Sequence, residues 1–197
     1  MVFFMRKNKR TFMRYFLSEI PMKLRTIVIS AIFLQAGSAM DNQLVPVPGF
    51  DLNCFLGKWY EIARLPTSFE RNLGHVTATY SLREDGKVKV LNEGRNVWTD
   101  KYSKAVGKAK IAQDPTVGYL KVSFFWPFYA DYIILELDKE GYNYAMVASS
   151  FKYLWILSRT PGLDKEILER LVKKAKELGF DTDKIYFTPQ GPGDSGK

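Results

Sequence analysis

Cys54 and His75 are the single cysteine and the single histidine of this 197-residue chain, and a thiol beside an imidazole is a pairing used in nucleophilic catalysis. One cysteine cannot close an intramolecular disulfide, and the two residues together fall short of the four ligands of a structural zinc site. The composition therefore excludes a zinc centre and a His-based triad, and it indicates no metal and no cofactor. Whether Cys54 and His75 can meet depends on the elements that carry them.

The overall composition is that of one globular domain. Apolar residues make up 46%, charged residues 25% and aromatic residues 15% of the chain, which excludes bulk disorder. The net charge of +8 is uneven, because the first 40 residues hold seven basic residues and one acidic residue, against 22 and 20 in the remainder. Since the remainder is nearly neutral, the sequence argues against a nucleic-acid partner.

The segment 22–39 has the pattern of a secretory signal peptide. Lys23 and Arg25 precede the apolar stretch 26–34, and Gly37 and Ala39 are the small residues that signal peptidase accepts. The stretch is about half of the roughly 20 residues that a membrane-spanning helix needs, so export is favoured over a permanent anchor. Two starts fit the sequence: Met1, which gives a basic leader plus signal over 1–39, and Met22, which opens a complete signal by itself.

Alternating apolar and polar residues follow, without helical periodicity, and they predict eight strands. Short turns divide them, such as Glu84-Asp85-Gly86 between the second and third strands. Even spacing and short connections indicate an antiparallel up-and-down sheet that closes into a barrel, which removes both unpaired edges. The predicted strands are 58–65, 76–83, 87–96, 103–111, 118–125, 132–137, 144–149 and 154–159.

A helix over 164–178 is predicted by Asp164 as its cap, an apolar stripe at helical spacing and Gly179 as its stop. A single apolar stripe indicates packing against the outside of the sheet. A short ninth strand over 184–188 follows. The predicted organisation is thus a leader over 1–39, a segment over 40–56 that closes the barrel base, a barrel over 57–190 and a disordered tail over 191–197.

The stretch Gly57-Lys58-Trp59-Tyr60 resembles the first signature of the lipocalins, Gly-x-Trp. Further similar blocks, at 76–82, 85–90 and 153–161, extend the resemblance over nearly all of residues 48–190. The chain is most similar to the bacterial outer-membrane lipocalins and to their relative apolipoprotein D. It departs from the family in two places: the second signature, Thr-Asp-Tyr, appears as Leu137-Asp138-Lys139, and no cysteine follows the signal to receive a lipid.

The resemblance implies an all-β lipocalin barrel that carries a small hydrophobic ligand, most of all a fatty acid or lysophospholipid. It also implies a bacterial envelope location, in the periplasm or at the periplasmic face of the outer membrane, with a lipid anchor not supported. Retinoids, sterols and porphyrins remain open as other apolar ligands. From composition alone, a barrel filled by its own side chains that binds nothing is an equal alternative.

Strand parity predicts which side chains point into the barrel. The inward set is mostly apolar, as expected of a ligand pocket. It comprises Trp59, Glu61, Ala63 and Leu65; Val76, Ala78, Tyr80 and Leu82; Val88, Val90 and Asn92; Leu120, Val122 and Phe124; and Tyr153, Trp155, Leu157 and Arg159.

The resemblance assigns Tyr80, Asn92 and Trp155 to the ligand pocket, and parity adds Val90, Val122 and Phe124. Glu61 is also a predicted ligand residue, but an inward carboxylate is unfavourable unless it is paired or protonated. It contacts either a ligand head group or an internal water and a tyrosine hydroxyl.

The family pattern makes Gly57, Trp59, Asp138 and Arg159 structural residues of the closed base, with the arginine stacked on the tryptophan ring. Strand count places Cys54 at this base, as a buried apolar residue, and His75 near the mouth. The barrel's length separates them, so the sequence predicts a binding protein and not an enzyme.

The mouth connections are predicted at 66–74, 97–102, 125–130 and 150–152. The third contains Phe125, Trp126, Phe128 and Tyr129, more apolar surface than a soluble loop needs. These aromatics either cover the cavity as a lid, support a homodimer contact, enter the headgroup layer of a membrane or bind an envelope partner.

Overall fold

The computed structural model describes residues 43–67, 70 and 72–191. The predicted leader over 1–39 and the tail beyond 191 lie outside the described residues. Nine strands follow a short helix α1, Leu52–Phe55, and a second helix α2, Lys165–Glu177, packs near the C-terminal end. The strands are β1 Gly57–Arg64, β2 Leu73–Leu82, β3 Val88–Asn96, β4 Tyr102–Ile111, β5 Tyr119–Phe125, β6 Phe128–Leu137, β7 Tyr144–Ser150, β8 Tyr153–Ser158 and β9 Tyr186–Phe187.

The first eight strands form a closed antiparallel barrel in which each strand pairs with the next along the chain. The ring closes where β1 pairs with both β8 and β2, and β9 is added on the outside of β1. The predicted fold class is therefore confirmed. Tight hairpins make this order possible, and Gly86 in the β2–β3 turn has the left-handed φ of 71° that favours glycine.

A β-bulge divides β1 into two halves with different neighbours. The first half pairs with β2 up to Tyr60, and the register with β8 shifts between Glu61 and Ala63. Beyond the bulge, Ala63 and Arg64 pair with β9. The backbone N–H groups of Thr188 and His75 donate to Ile62 and Pro189 over 2.9 and 2.7 Å, so the C-terminal segment fills the gap between β1 and β2.

Apolar side chains form two layers, one inside the barrel and one between the barrel and α2. Phe55 and Trp59 are fully buried at the base of the inner layer, and Phe50 packs beside them. The outer layer joins Leu171 and Ala175 of α2 to barrel side chains such as Met146 and Ile156. The predicted stripe of the helix thus covers one outer face of the sheet.

Side-chain capping fixes the start of α2. The Asp164 carboxylate accepts from the backbone N–H groups of Glu166 and Ile167 at 2.9 and 3.1 Å, which pairs N–H groups that have no partner within the helix. Gly179, with φ of 95°, follows the last turn. No helix of the described ranges is both long and apolar enough to cross a membrane.

Three predicted strand starts differ from the structure by more than one residue. β2 begins at Leu73 instead of residue 76, and β6 begins at Phe128 instead of residue 132. The predicted loop 125–130 is consequently a hairpin in which Phe125 pairs with Phe128, because aromatic residues suit strands as well as loops. The predicted ninth strand shortens to Tyr186–Phe187, since Thr182–Lys184 forms a 3₁₀ turn.

Candidate functional site

A cavity of about 80 Å³ lies inside the barrel. All seven residues predicted to bind a ligand border it: Glu61, Tyr80, Val90, Asn92, Val122, Phe124 and Trp155. The other lining residues are Glu70, Val76, Thr77, Ala78, Ala130, Asp131, Tyr132, Ser149 and Leu157. Aliphatic and aromatic side chains make up most of this wall, so the interior can solvate an apolar group.

Two tyrosines form the lower part of the cavity. The hydroxyls of Tyr80 and Tyr132 lie 2.7 Å apart in a hydrogen bond, and both rings pack on Phe55. Burial raises the pKa of Tyr80 to about 12 and that of Tyr132 well above its ordinary value. Both side chains therefore stay neutral at physiological pH. Tyr132 was not predicted as a site residue, although the alternation of inward and outward side chains along β6 could have identified it as an inward residue.

Aromatic rings line the upper wall. Trp155 stacks nearly parallel to Tyr153, with 6.3 Å between ring centroids and an interplanar angle of 8°. Phe124 lies against Gly107 of β4, where an added Cβ would come within 2.6 Å of the Phe124 ring. Glycine at 107 therefore lets the phenyl ring occupy its present place in the cavity wall.

Glu61 is a buried carboxylate with two partners on one oxygen. Oε1 accepts a hydrogen bond from the Arg64 guanidinium, to which it is also ion-paired, and one from the Thr188 hydroxyl at 2.6 Å. Burial raises the pKa of Glu61, while the adjacent Arg64 lowers it. The sequence-based alternative of a tyrosine hydroxyl as its partner is wrong, because the partners come from β1 itself and from the C-terminal segment.

Arg64 holds the mouth end of β1 to the segments around it. Its guanidinium donates to the backbone oxygens of Glu70 and Leu73 at 2.5 and 3.2 Å and to the Thr188 hydroxyl at 3.1 Å. The ring of Tyr186 lies 4.6 Å from its central carbon. Parity reasoning missed this cluster, because the bulge that turns Arg64 inward leaves no mark in the alternation of residue types.

The same bulge overturns part of the predicted inward set. Ala63 and Leu65 were expected to face the cavity, but they pack in the outer layer with Ile62. Leu82, at the end of β2, is 57% exposed instead of inward. Thr77 was expected outside and borders the cavity, because the β2–β3 register also shifts between Gly74 and Thr77.

The closed base is held by a stacked arginine. The guanidinium carbon of Arg159 lies 3.8 Å from the centroid of the Trp59 ring. Its three nitrogens donate to the backbone oxygens of Tyr142, Lys58 and Cys54 at 3.1, 3.0 and 2.7 Å. Gly57, with φ of 96°, leaves room for this side chain, since an added Cβ would lie 3.3 Å from an Arg159 nitrogen.

Asp138 organises the neighbouring β6–β7 turn at the base. Its carboxylate accepts from the backbone N–H and the side-chain amide of Asn143 at 3.1 and 2.8 Å. These bonds, working against partial burial, lower the pKa of Asp138. The turn also presents the Tyr142 hydroxyl, which accepts from the backbone N–H of Asp51 over 2.9 Å.

Cys54 and His75 lie at opposite ends of the barrel. Cys54 is on α1 under the base and is exposed, so the prediction that it is buried is wrong. His75 is on β2 near the mouth, beside the C-terminal segment, and is also exposed. The placement of the two residues gives no support to a thiol–imidazole pair.

Exposed aromatic side chains are concentrated at the mouth. Trp126, at the β5–β6 turn, is 76% exposed, and Trp98, at the β3–β4 turn, is 79% exposed. Phe128 and Phe151 are exposed to smaller extents, whereas Phe125 and Tyr129 of the predicted group are half-buried. Trp98 was not predicted as a site residue, because Val97 is its only apolar neighbour in an otherwise polar turn.

Comparison with known proteins agrees with this architecture. A family model described as a lipocalin-like domain matches residues 50–190. The chain is 45% identical over 165 residues to outer membrane lipoprotein Blc of Vibrio cholerae serotype O1, a match that covers 83% of this chain and 96% of the relative. It is 35% identical over 150 residues to apolipoprotein D of Macaca fascicularis, covering 72% of this chain and 77% of the relative.

Among solved structures, insecticyanin from the tobacco hornworm Manduca sexta superposes with a TM-score of 0.61 at 25% identity, covering 74% of this chain and 84% of that chain. The family match spans most of the barrel and agrees with the resemblance of the Gly-x-Trp block around Trp59. The protein belongs to the lipocalin-like domain family.

Proposed function

We propose that the protein binds and carries a single-chain lipid, a fatty acid or a lysophospholipid, in its barrel cavity. The observation that carries this proposal is the largely apolar cavity enclosed by the barrel, bordered by Val90, Val122, Phe124 and Trp155. Membership of the lipocalin-like family supports a small hydrophobic ligand. A long hydrocarbon chain and a wall of this chemistry bury each other's surface from water.

The free space favours a slender ligand. About 80 Å³ is small beside the roughly 300–1,000 Å³ of pockets that hold drug-sized molecules. A sterol or porphyrin would require several aromatic side chains to move together, whereas an acyl chain requires fewer rotations. Burying about ten methylenes contributes about 8 kcal/mol, which corresponds to about 1 μM before the entropy lost on association is subtracted, so we expect an affinity of micromolar order or weaker.

We place this activity in the bacterial cell envelope. The relative from Vibrio cholerae is named an outer membrane lipoprotein, and its match extends over 96% of its length. The segment 22–39 supports export. The periplasm and the periplasmic face of the outer membrane are both compatible with the proposal.

The mouth rim, defined here as Val97, Trp98, Trp126, Phe128 and Phe151, supports contact with a membrane surface. Tryptophan side chains favour the headgroup depth of a bilayer. The rim is at the same end of the barrel as the cavity residues Asn92 and Trp155. Lipid would then pass directly between bilayer and cavity. Binding to an envelope protein or to a second copy of the chain is the alternative use of the same surface.

Native mass spectrometry of the purified protein, before and after organic extraction, tests the carriage of lipid. We expect a stoichiometric adduct with the mass of a single-chain lipid that extraction removes. An empty barrel with a bound protein, or a ligand-free homodimer, would contradict carriage and favour the interaction role of the mouth rim.

Exchange of Trp155 for Ala tests the position of the ligand. We expect a severalfold weaker titration by a fluorescent fatty acid with an unchanged far-UV spectrum, because the indole wall of the cavity is lost. Val106→Ala is the matched control, since Val106 is an exposed apolar residue on the outer face of β4. Equal affinity in the Trp155 variant and the control would remove Trp155 from the site.

A further inference from the structure

One oxygen of the Glu61 carboxylate has no hydrogen-bond partner among the described residues, and Glu61 borders the cavity. Arg64 and Thr188 both donate to Oε1, and within the described part of the chain no donor reaches Oε2. Only 5% of the side chain is accessible, and the residue borders the cavity. Because the barrel excludes most solvent here, Oε2 is a strong acceptor that a bound molecule would satisfy.

A second unpaired acceptor faces the same cavity. The side-chain oxygen of Asn92 is buried without a hydrogen-bond partner among the described residues, and Asn92 is a lining residue. A buried amide oxygen without a donor costs free energy unless a ligand or water supplies one. The cavity therefore offers acceptors at two points of its wall.

No lysine or arginine appears among the described lining residues of this cavity. Arg64 lies beside Glu61, and its two terminal nitrogens donate to Glu61, to Thr188 and to the backbone oxygens of Glu70 and Leu73. Its buried Nε has no hydrogen-bond partner among the described residues and lies 4.0 Å from a Glu70 carboxylate oxygen. Asp131 borders the cavity, but its carboxylate is bonded to Tyr119 and Lys121 of β5. The Glu70 side chain also borders the cavity, so a ligand carboxylate at the level of Glu61 would meet two carboxylates and a single cation, Arg64, that Glu61 already pairs.

We infer that the cavity selects single-chain lipids whose polar end carries a hydrogen-bond donor with positive charge, an ammonium group, which donates to Oε2 of Glu61. The hydrocarbon chain then lies along the apolar wall. This inference rests on the proposed function. Among the single-chain lipids proposed there, it favours those that carry an amine over free fatty acids. A charge-assisted hydrogen bond away from water makes this contact strong enough to determine preference.

Isothermal titration calorimetry with three ligands of one chain length tests the inference at pH 8. We expect decylamine to bind the wild-type protein about tenfold more tightly than decanol, because its hydrogen bond to Oε2 has a charged donor as well as a charged acceptor, and decanoate to bind most weakly. Decanoate that binds as tightly as decylamine would overturn the inference and leave lipid carriage standing. Failure of all three ligands to bind would contradict the proposed function itself.

The variant Glu61→Gln tests whether Glu61 is the group that determines the preference for decylamine over decanoate. The amide oxygen can keep the bonds from Arg64 and Thr188, so the amide nitrogen, a donor, replaces Oε2 in the cavity. We expect the preference for decylamine over decanoate to fall about tenfold or more. Glu84→Gln, the same change on an exposed residue of the β2–β3 turn, should keep the preference.

A retained preference in the Glu61 variant would assign the selection to another group and overturn the role given to Glu61. Far-UV circular dichroism establishes whether the variant is folded. If it is not, the ranking of the three ligands on the wild-type protein decides the inference without any substitution.

Discussion

An arginine packs against each end of β1, half-buried at the base and fully buried near the mouth, and the two have different partners. At the base, Arg159 stacks on Trp59 and donates to three backbone oxygens, so its partners are neutral. Near the mouth, Arg64 pairs with the Glu61 carboxylate and carries charge into the wall of the cavity. At the base, the arginine contacts neutral backbone oxygens and an aromatic ring. In the mouth half, the arginine is ion-paired with Glu61, whose second carboxylate oxygen has no hydrogen-bond partner among the described residues.

This difference between base and mouth indicates that the base residues stabilise the barrel and the residues toward the mouth bind the ligand. Phe55 and Trp59 below the cavity are fully buried, and their packing serves the barrel alone. Glu61 and Trp155 border the cavity, so their polar atoms and ring surface are available to a ligand. Substitutions at the base should therefore change the free energy of unfolding, and substitutions toward the mouth should change affinity.

The largest effect on stability is expected for Trp59→Ala. Removing a fully buried indole leaves a cavity and deprives Arg159 of its ring, so the free energy of unfolding should fall by about 3–5 kcal/mol. Urea denaturation followed by circular dichroism measures it. Trp155→Ala is the matched comparison, with a smaller loss because its ring is already partly accessible. Similar losses in both variants would contradict the division between base and mouth.

The closed barrel could be predicted from the sequence because strand alternation and turn residues such as Gly86 act locally. Inward residues of β3, such as Asn92, were predicted for the same reason, since β3 pairs with β4 without a register shift. Phe124 was also predicted correctly, although the β5–β6 register shifts between Val122 and Phe125. The inward position of Arg64 could not be predicted, because its orientation depends on a β-bulge and on segments distant in sequence. Thr188 follows β9, and only the tertiary fold brings it to Glu61.

Arg64→Met should be the next most destabilising change, by about 3 kcal/mol, because it leaves the Glu61 carboxylate buried without its cation. The loss should also depend on pH. Burial raises the pKa of Glu61 in the folded state above its ordinary value of 4.5. The protonated Glu61 side chain therefore favours folding, and its contribution to the free energy of unfolding is present below pH 4.5 and is lost as the pH rises through the folded-state pKa. Removal of Arg64 raises that pKa further, so the deficit should grow from pH 5 to pH 8.

The double variant Glu61→Gln with Arg64→Met isolates this pH dependence. It has no buried carboxylate at position 61, so urea denaturation at pH 5 and pH 8 should give a deficit that no longer grows with pH. Growth of the deficit in the double variant as in Arg64→Met would assign the titration to another group of the mouth.

Arg159→Lys tests the neutral cluster at the base, with an expected loss of about 1–2 kcal/mol. A lysine ammonium cannot stack flat on Trp59 while donating to three separate backbone oxygens, as the planar guanidinium does. Lipid affinity should stay unchanged. The control Arg83→Lys, on an exposed residue paired with Asp85, should cost no more than about 0.5 kcal/mol. A reduced lipid affinity in Arg159→Lys would show that the base also serves the cavity.

The smallest effect on stability is expected for Trp98→Ala and Trp126→Ala, within about 0.5 kcal/mol of the wild-type protein, because both indoles are more than three-quarters exposed. Their effect should appear in membrane binding. Sedimentation with vesicles of phosphatidylethanolamine and phosphatidylglycerol should recover less of each variant, since each loses an indole that favours the headgroup layer.

Leu82→Ala supplies the control for this last prediction. Leu82 is an exposed apolar residue at the opposite end of the barrel from the mouth rim, so its loss lowers surface hydrophobicity without altering the rim. Vesicle binding that falls equally in all three variants would indicate unspecific adhesion of exposed apolar surface. Binding that falls only in the two tryptophan variants would orient the barrel with its mouth toward the bilayer, the orientation in which a lipid reaches the Glu61 side of the cavity without crossing water.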